Sequence, residues 1–257
     1  MSHYHRGPTV GGVTFAFPPL TPMIRLILIT LGGAFIAQMF LQLLGGGELL
    51  GRWVALSTTS LLGRLAFWEL ATYALLHGGL WHLLFNMLGI YMFGGDVERV
   101  LGSNHTLRYF VVCVVGGGVV FVLLDLMAGR GAGVIGASAG VLGIVIAFAV
   151  FFPNRQVFLF PLPFPVKAWV LAAFFALFNL YGAIASNSGI DPSFGQGQAA
   201  VAFGAHLGGM AIGYVYLQGL VRPGGFGELF RRKGKRSSFR VIDGDRDRGG
   251  PGPYDLH

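Results

Sequence analysis

The sequence predicts an all-α membrane protein, a bundle of six transmembrane helices. Three observations carry this. Of the 257 residues, 54% are hydrophobic and only 11% charged, and the mean hydropathy is +0.66; a water-soluble domain is about a quarter charged. Six stretches are apolar or nearly so, at or near the length that crosses a ~30 Å hydrocarbon core. The basic residues are divided unevenly between the connections, as the two sides of a membrane require. The 42 glycines fit close helix–helix contact in lipid.

Residues 1–21 hold prolines, glycines and few charges, and read as an irregular N-terminal arm. The first apolar stretch follows Arg25 and meets no charge until Glu48. At about 22 residues it makes roughly 33 Å of helix, too long for a signal-peptide core, so it is expected to be retained. Residues 46–70 are mixed, and Trp53, Arg64 and Trp68 fit interfacial helices at the headgroup level. The second stretch runs from Thr72 to Gly94, and a polar turn from Asp96 to Arg108 leads to the third, 109–128. A Gly-rich connection, 129–137, precedes the fourth, which opens at Ser138 and ends by Phe152-Pro153-Asn154-Arg155. Pro161, Pro163 and Pro165 mark a turn before the fifth stretch, 167–186. Residues 187–199 form a polar loop without Lys or Arg, and the sixth stretch is 200–221. Residues 222–257 read as a disordered, basic, Gly-rich tail.

The net charge is +7, and nine of the 18 Lys and Arg lie between Arg222 and Arg248. Such a run suits an anionic membrane face; one short tail behind a membrane bundle is a poor nucleic-acid site, and none is expected. With a cytoplasmic N-terminus the basic residues divide 15 inside to 3 outside, and 6 to 3 without the tail. Both termini are therefore expected in the cytoplasm of a cell (inner) membrane, as an even number of spans requires. The lone Cys113 has no disulfide partner in the chain and reads as a small buried hydrophobe.

Polar side chains inside a span are costly and point to function. His82 lies roughly 15 Å into the second segment and His206 roughly 9 Å into the sixth, counted from the outer side. Ser138 falls about 8 Å below the outer boundary when counted back from Pro153. Serine and histidine at one depth suggest a nucleophile and its general base. Ser138 opens a helix, so unpaired backbone N–H groups and the positive dipole end lie beside it. His82 and Asn86 are four residues apart on one helix face and supply further donors to an oxyanion. Gly136 and Gly140 flank the serine, and Gly209 and Gly213 share or adjoin the His206 face. All four let helices approach at the site.

The same residues admit plainer readings. Gly136-Ala137-Ser138-Ala139-Gly140 is also a small-residue packing run. His206 is also an interhelical hydrogen-bond partner, and His82 and Asn86 are also packing polar groups. His77, His82 and His206 together would suffice for zinc, although His77 and His82 share a helix face poorly. Asp125 is a candidate third member of a triad or a carboxylate that simply reaches water at a helix end.

With these residues in hand, the chain resembles the rhomboid family of intramembrane serine proteases over about 22–221, in the six-helix bacterial arrangement. The resemblance rests on His82-x-x-x-Asn86, Gly136-x-Ser138, Ala205-His206-x-x-Gly209-x-x-x-Gly213, and Gly94-Gly95-x-x-Glu98-x-x-x-Gly102, in that family's order on the matching segments. It implies a dyad with Ser138 as nucleophile and His206 as base, and an oxyanion hole made by His82, Asn86 and the Ser138 backbone N–H. It implies a cavity open to the outside, with the fifth helix and the 187–199 loop as gate and cap. Substrates would be transmembrane proteins cut near the outer face, with small residues before the scissile bond and helix-weakening residues nearby. Membrane lipids are the other partners; neither metal nor cofactor is expected, and the sequence sets no oligomeric state. The sequence departs from the family pattern at two positions. Ala139 follows the serine where glycine is frequent. Leu142 stands one turn later, where many relatives stack an aromatic on the histidine, which implies that apolar contact alone positions His206. Two other functions fit the sequence less well: a rhomboid-like protein that binds transmembrane clients without cutting them, and a channel or transporter with a polar path.

Overall fold

The computed structural model describes residues 9–10, 13–14, 18, 20–158, 164–187 and 199–221. The described chain is mostly helical. In order, the helices are α1 (Pro22–Leu43), α2 (Gly47–Trp53), α3 (Thr58–Gly63), α4 (Glu69–Thr72), α5 (Leu80–Leu101), α6 (Ser103–Ala128), α7 (Ser138–Phe151), α8 (Ala168–Asn187) and α9 (Ala199–Val221). Two-residue antiparallel ladders pair Thr9–Val10 with Val13–Thr14, Leu56–Ser57 with Gly133–Val134, and Gln156–Val157 with Val166–Lys167. Among the described residues, three helices are long and apolar enough to cross a membrane: α1, α6 and α8 over Ala168–Ala185. The expected cap loop, the tail from 222 and most of the N-terminal arm lie outside the described residues.

α7 is the centre of the bundle. It is a short apolar helix of 14 residues, and Ala139 through Val145 and Ala147 through Ala149 are all buried. A helix apolar on every side is stable only when surrounded, and α5, α6, α8 and α9 all pack on α7. α9 lies along α6 in the most extensive pairing of the bundle, and α1 covers α5. The outer faces are hydrocarbon. Ile29 and Ile36 on α1, Phe85 on α5, Leu123 on α6 and Leu177 on α8 are all exposed, as lipid contact requires.

Two boundaries differ from the sequence reading. The second apolar stretch is not one helix from Thr72: α4 and a 3-10 turn at Tyr73–Leu75 end at an extended Leu76, and α5 begins at Leu80. The break is held by an amide clasp in which His77 N–H donates to Gln38 Oε1 at 3.0 Å and Gln38 Nε2 donates to the His77 carbonyl at 2.7 Å. The polar segment from Asp96 to Arg108 is helical apart from Gly102, whose φ of +79° breaks it. Its charges are accommodated because Glu98 caps α1. The carboxylate accepts from the backbone N–H of Met23 and of Ile24, each at 3.0 Å, from Ser103 Oγ at 2.6 Å, and from Thr21 Oγ1. Three of these donors open α1 and one opens α6, so one carboxylate satisfies orphan N-terminal groups and faces a positive dipole end.

The segment between α1 and α5 has a similar hub. Glu69 is fully buried and accepts from Ser57 N–H at 3.2 Å, Arg64 Nη2 at 3.3 Å and Ser60 Oγ. Trp53 and Trp68 stack at 6.4 Å, with the Arg64 guanidinium 4.9 Å from the Trp53 ring centre.

Candidate active site

The site is built on the turn into α7. Gly136 has φ +118°, a conformation that side chains rarely adopt. A Cβ there would also lie 2.7 Å from His82 Cε1. Its N–H donates to the Tyr73 carbonyl at 2.9 Å, and Tyr73 OH in turn donates to the Val114 carbonyl at 2.8 Å. The ladder between Leu56 and Val134 holds the approach to this turn. Ala137 is the N-cap and Ser138 the first residue of α7, and the first backbone bond of the helix is Val141 N–H to the Ala137 carbonyl. The N–H groups of the first turn are therefore free of helical partners at the serine.

α9 is pressed against this turn through glycine. A Cβ on Gly209 would overlap the Ala139 carbonyl, and one on Gly213 would lie 2.6 Å from Tyr109 OH. Gly140 takes the Phe110 ring, where a Cβ would come within 2.5 Å. The four glycines singled out in the sequence are thus close-approach positions. Ala139, the departure from the common pattern, is accommodated by Gly117: a Cβ on Gly117 would lie 2.6 Å from the Ala139 methyl.

This contact brings His206 Nε2 to 2.6 Å from Ser138 Oγ, across 68 positions of sequence. That is a short hydrogen bond within the range in which a base takes a hydroxyl proton. His82 approaches the same serine from α5. Gly78 N–H donates to His82 Nδ1 at 3.3 Å, which makes Nδ1 the acceptor and leaves the ring proton of the neutral imidazole on Nε2. Nε2 faces Gly136: a Cβ built there would be 2.8 Å from His82 Nε2 and 3.7 Å from Ser138 Oγ. Asn86 is buried, and one of its two amide hydrogens is donated to the His82 carbonyl at 3.0 Å. Ser138, His206 and His82 thus come together from three helices, and Asn86 stands one turn beyond His82 on α5, bonded to its carbonyl.

Three sequence expectations change. His206 is not held by apolar contact alone. Its Nδ1 lies 2.7 Å from Asn179 Oδ1 of α8, and the Phe203 ring stands perpendicular to it at 6.5 Å. Asn179 was missed in the sequence; the available signal was a lone amide in an apolar stretch, with no partner at a fixed spacing. Asp125 does not reach water: it is 3% exposed and accepts from Ala132 N–H at 3.1 Å, closing the loop after α6. His77 precedes α5 rather than sharing it, and it is fully buried, 5.1 Å ring to ring from His82. Among the described residues no three His, Cys, Asp or Glu side chains are grouped to hold a metal ion.

Comparison with known proteins gives the same family as the motifs. Residues 64–223 match the family model described as Rhomboid domain, a span that holds α4 through α9 and the whole cluster. The chain is 28% identical over 145 residues to "Rhomboid protein 1, mitochondrial" of Saccharomyces cerevisiae, covering 54% of this chain and 38% of that protein. The chain thus spans well under half the length of that relative. The family match covers more than half of the chain and includes every helix that contributes to the serine–histidine cluster, so this multi-pass membrane protein belongs to the rhomboid family.

Proposed function

We propose that the protein is an intramembrane serine endopeptidase that cuts transmembrane substrates near the outer face of the membrane. The 2.6 Å contact between His206 Nε2 and Ser138 Oγ carries this reading. Ser138 Oγ attacks the scissile carbonyl carbon while its proton passes to His206 Nε2. The carbonyl oxygen becomes an oxyanion, and the donors available to it are the Ser138 backbone N–H, His82 Nε2–H and the second Asn86 amide hydrogen. As the tetrahedral species collapses, the C–N bond breaks and the His206 imidazolium protonates the leaving amine. Water then attacks the acyl ester with His206 again as base, releasing the acid and restoring the Ser138 hydroxyl.

The chemistry needs water at a site inside hydrocarbon, so the cavity is proposed to open to the outer side. α5, α7 and α9 are taken as the three further spans beside α1, α6 and α8, with both termini on the cytoplasmic face. That face carries the basic excess. α8 and the 187–199 loop are proposed as gate and cap for the entering substrate helix. The preferred substrates carry small residues before the scissile bond and helix-weakening residues near it.

The test is reconstitution in liposomes with a labelled single-span substrate, comparing wild type with Ser138→Ala and His206→Ala. Wild type cleaves at one site and both variants lose at least about 10³-fold of the rate. Cleavage that survives Ser138→Ala rejects the dyad. A folded wild type that binds a panel of single-span substrates and cuts none supports the non-catalytic client-binding alternative.

A further inference from the structure

Asn179 is 3% exposed on a helix whose neighbouring residues Leu177, Phe178, Leu180 and Tyr181 are apolar or aromatic and exposed. Burying an amide in such a setting is costly unless both its ends are bonded. Both are. Asn179 Nδ2 donates to the Phe175 carbonyl one turn back at 2.7 Å, which fixes the amide with its oxygen turned away from its own helix. That oxygen, Oδ1, lies 2.7 Å from His206 Nδ1. A carbonyl oxygen only accepts, so the proton of this hydrogen bond belongs to Nδ1. A neutral imidazole has one N–H, so Nε2 keeps its lone pair, and Nε2 is the atom facing Ser138 Oγ.

We propose that Asn179 is a positioning residue for the hydrolysis put forward above: it holds His206 as the Nδ1–H tautomer with Nε2 aimed at Ser138. The inference rests on that hydrolase reading for its consequence and on the Phe175–Asn179–His206–Ser138 chain of hydrogen bonds for its geometry. Without the acceptor the ring is free to place its proton on Nε2, where it blocks removal of the serine proton. It is also free to rotate away. When Nε2 takes that proton, the amide dipole already points its negative end at the imidazolium, and no group has to reorganise.

The test pairs Asn179→Leu, which keeps the volume and removes the acceptor, with Asn179→Asp, which keeps an acceptor oxygen. In the liposome assay Asn179→Leu lowers kcat by about tenfold or more with KM unchanged within about twofold, while Asn179→Asp keeps kcat within about fivefold. In protein labelled with 15N-histidine, the His206 signals are those of an Nδ1–H imidazole in wild type and shift toward the Nε2–H form in Asn179→Leu. The proposal is overturned if Asn179→Leu keeps wild-type kcat, if both variants lose it equally, or if wild-type His206 is found protonated on Nε2. The nitrogen spectrum does not need turnover. A wild type that shows the Nδ1–H form and cleaves nothing therefore fails the hydrolase reading while upholding the positioning geometry.

Discussion

A single hydrogen bond decides the chemistry that His82 offers. Gly78 N–H occupies Nδ1 at 3.3 Å, so Nε2 is a donor directed at the serine side of Gly136. His206 is the reverse case, with its acceptor nitrogen toward Ser138. Two imidazoles at one site are thus assigned opposite roles by their second nitrogen's partner. In the proposed reaction the oxyanion has several donors, so removing one slows turnover without stopping it. Asn86→Ala is expected to lower kcat by about 10²-fold or less while leaving KM nearly unchanged, read from steady-state cleavage in liposomes. It also leaves the part-buried His82 carbonyl without its side-chain partner, a cost of about 1 kcal/mol that a thermal unfolding comparison would register. Residue identities were legible where depth could be counted. Counting along the apolar stretches puts Ser138 and His206 at similar depth, and the two side chains do meet; the glycines around them have helical spacing. Asn179 was not legible, because its partner is 27 positions away on another helix and no motif joins them.

Among the elements, α7 and α9 set the site. Their contact is backbone on backbone, with the Gly209 position against the Ala139 carbonyl. Gly209→Val is expected to destabilise by roughly 1–3 kcal/mol from overpacking. It is also expected to lengthen the Ser138–His206 contact, so that labelling of Ser138 by a fluorophosphonate slows more than the unfolding midpoint alone would suggest. Equal labelling rates would show that α9 does not depend on this approach to place its histidine. The sequence located α7 and α9 well because their ends carry strong signals: the Gly-rich entry and Phe152-Pro153 for one, and the polar loop before the other. It misplaced the start of α5 because hydropathy alone does not see the Gln38–His77 clasp that stops the chain at Leu76. It read Asp96–Arg108 as a turn because charge usually marks one, whereas here Glu98 is consumed by α1.

At the scale of the molecule, two buried carboxylates add polar ties to the apolar helix packing, because hydrocarbon contact alone gives helices little net attraction in lipid. Glu98 joins α1, α5 and α6, and Glu69 orders the segment between α1 and α5. Glu98→Ala leaves the Met23 and Ile24 amides without partners at about 1–3 kcal/mol each. It is expected to lower the thermal midpoint in detergent while the Ser138–His206 geometry, at a distance from it, supports residual cleavage below that midpoint. Loss of cleavage with an unchanged midpoint would contradict this division between frame and site. Ser138 Oγ is the proposed nucleophile, and trapping that oxygen separates the hydrolase from a binding protein. Liposome-reconstituted protein is treated with a fluorophosphonate and the adduct is located by peptide mass mapping. One adduct is expected, on Ser138, formed in wild type and lost in His206→Ala. An adduct on another residue, or an equal yield without His206, would contradict it.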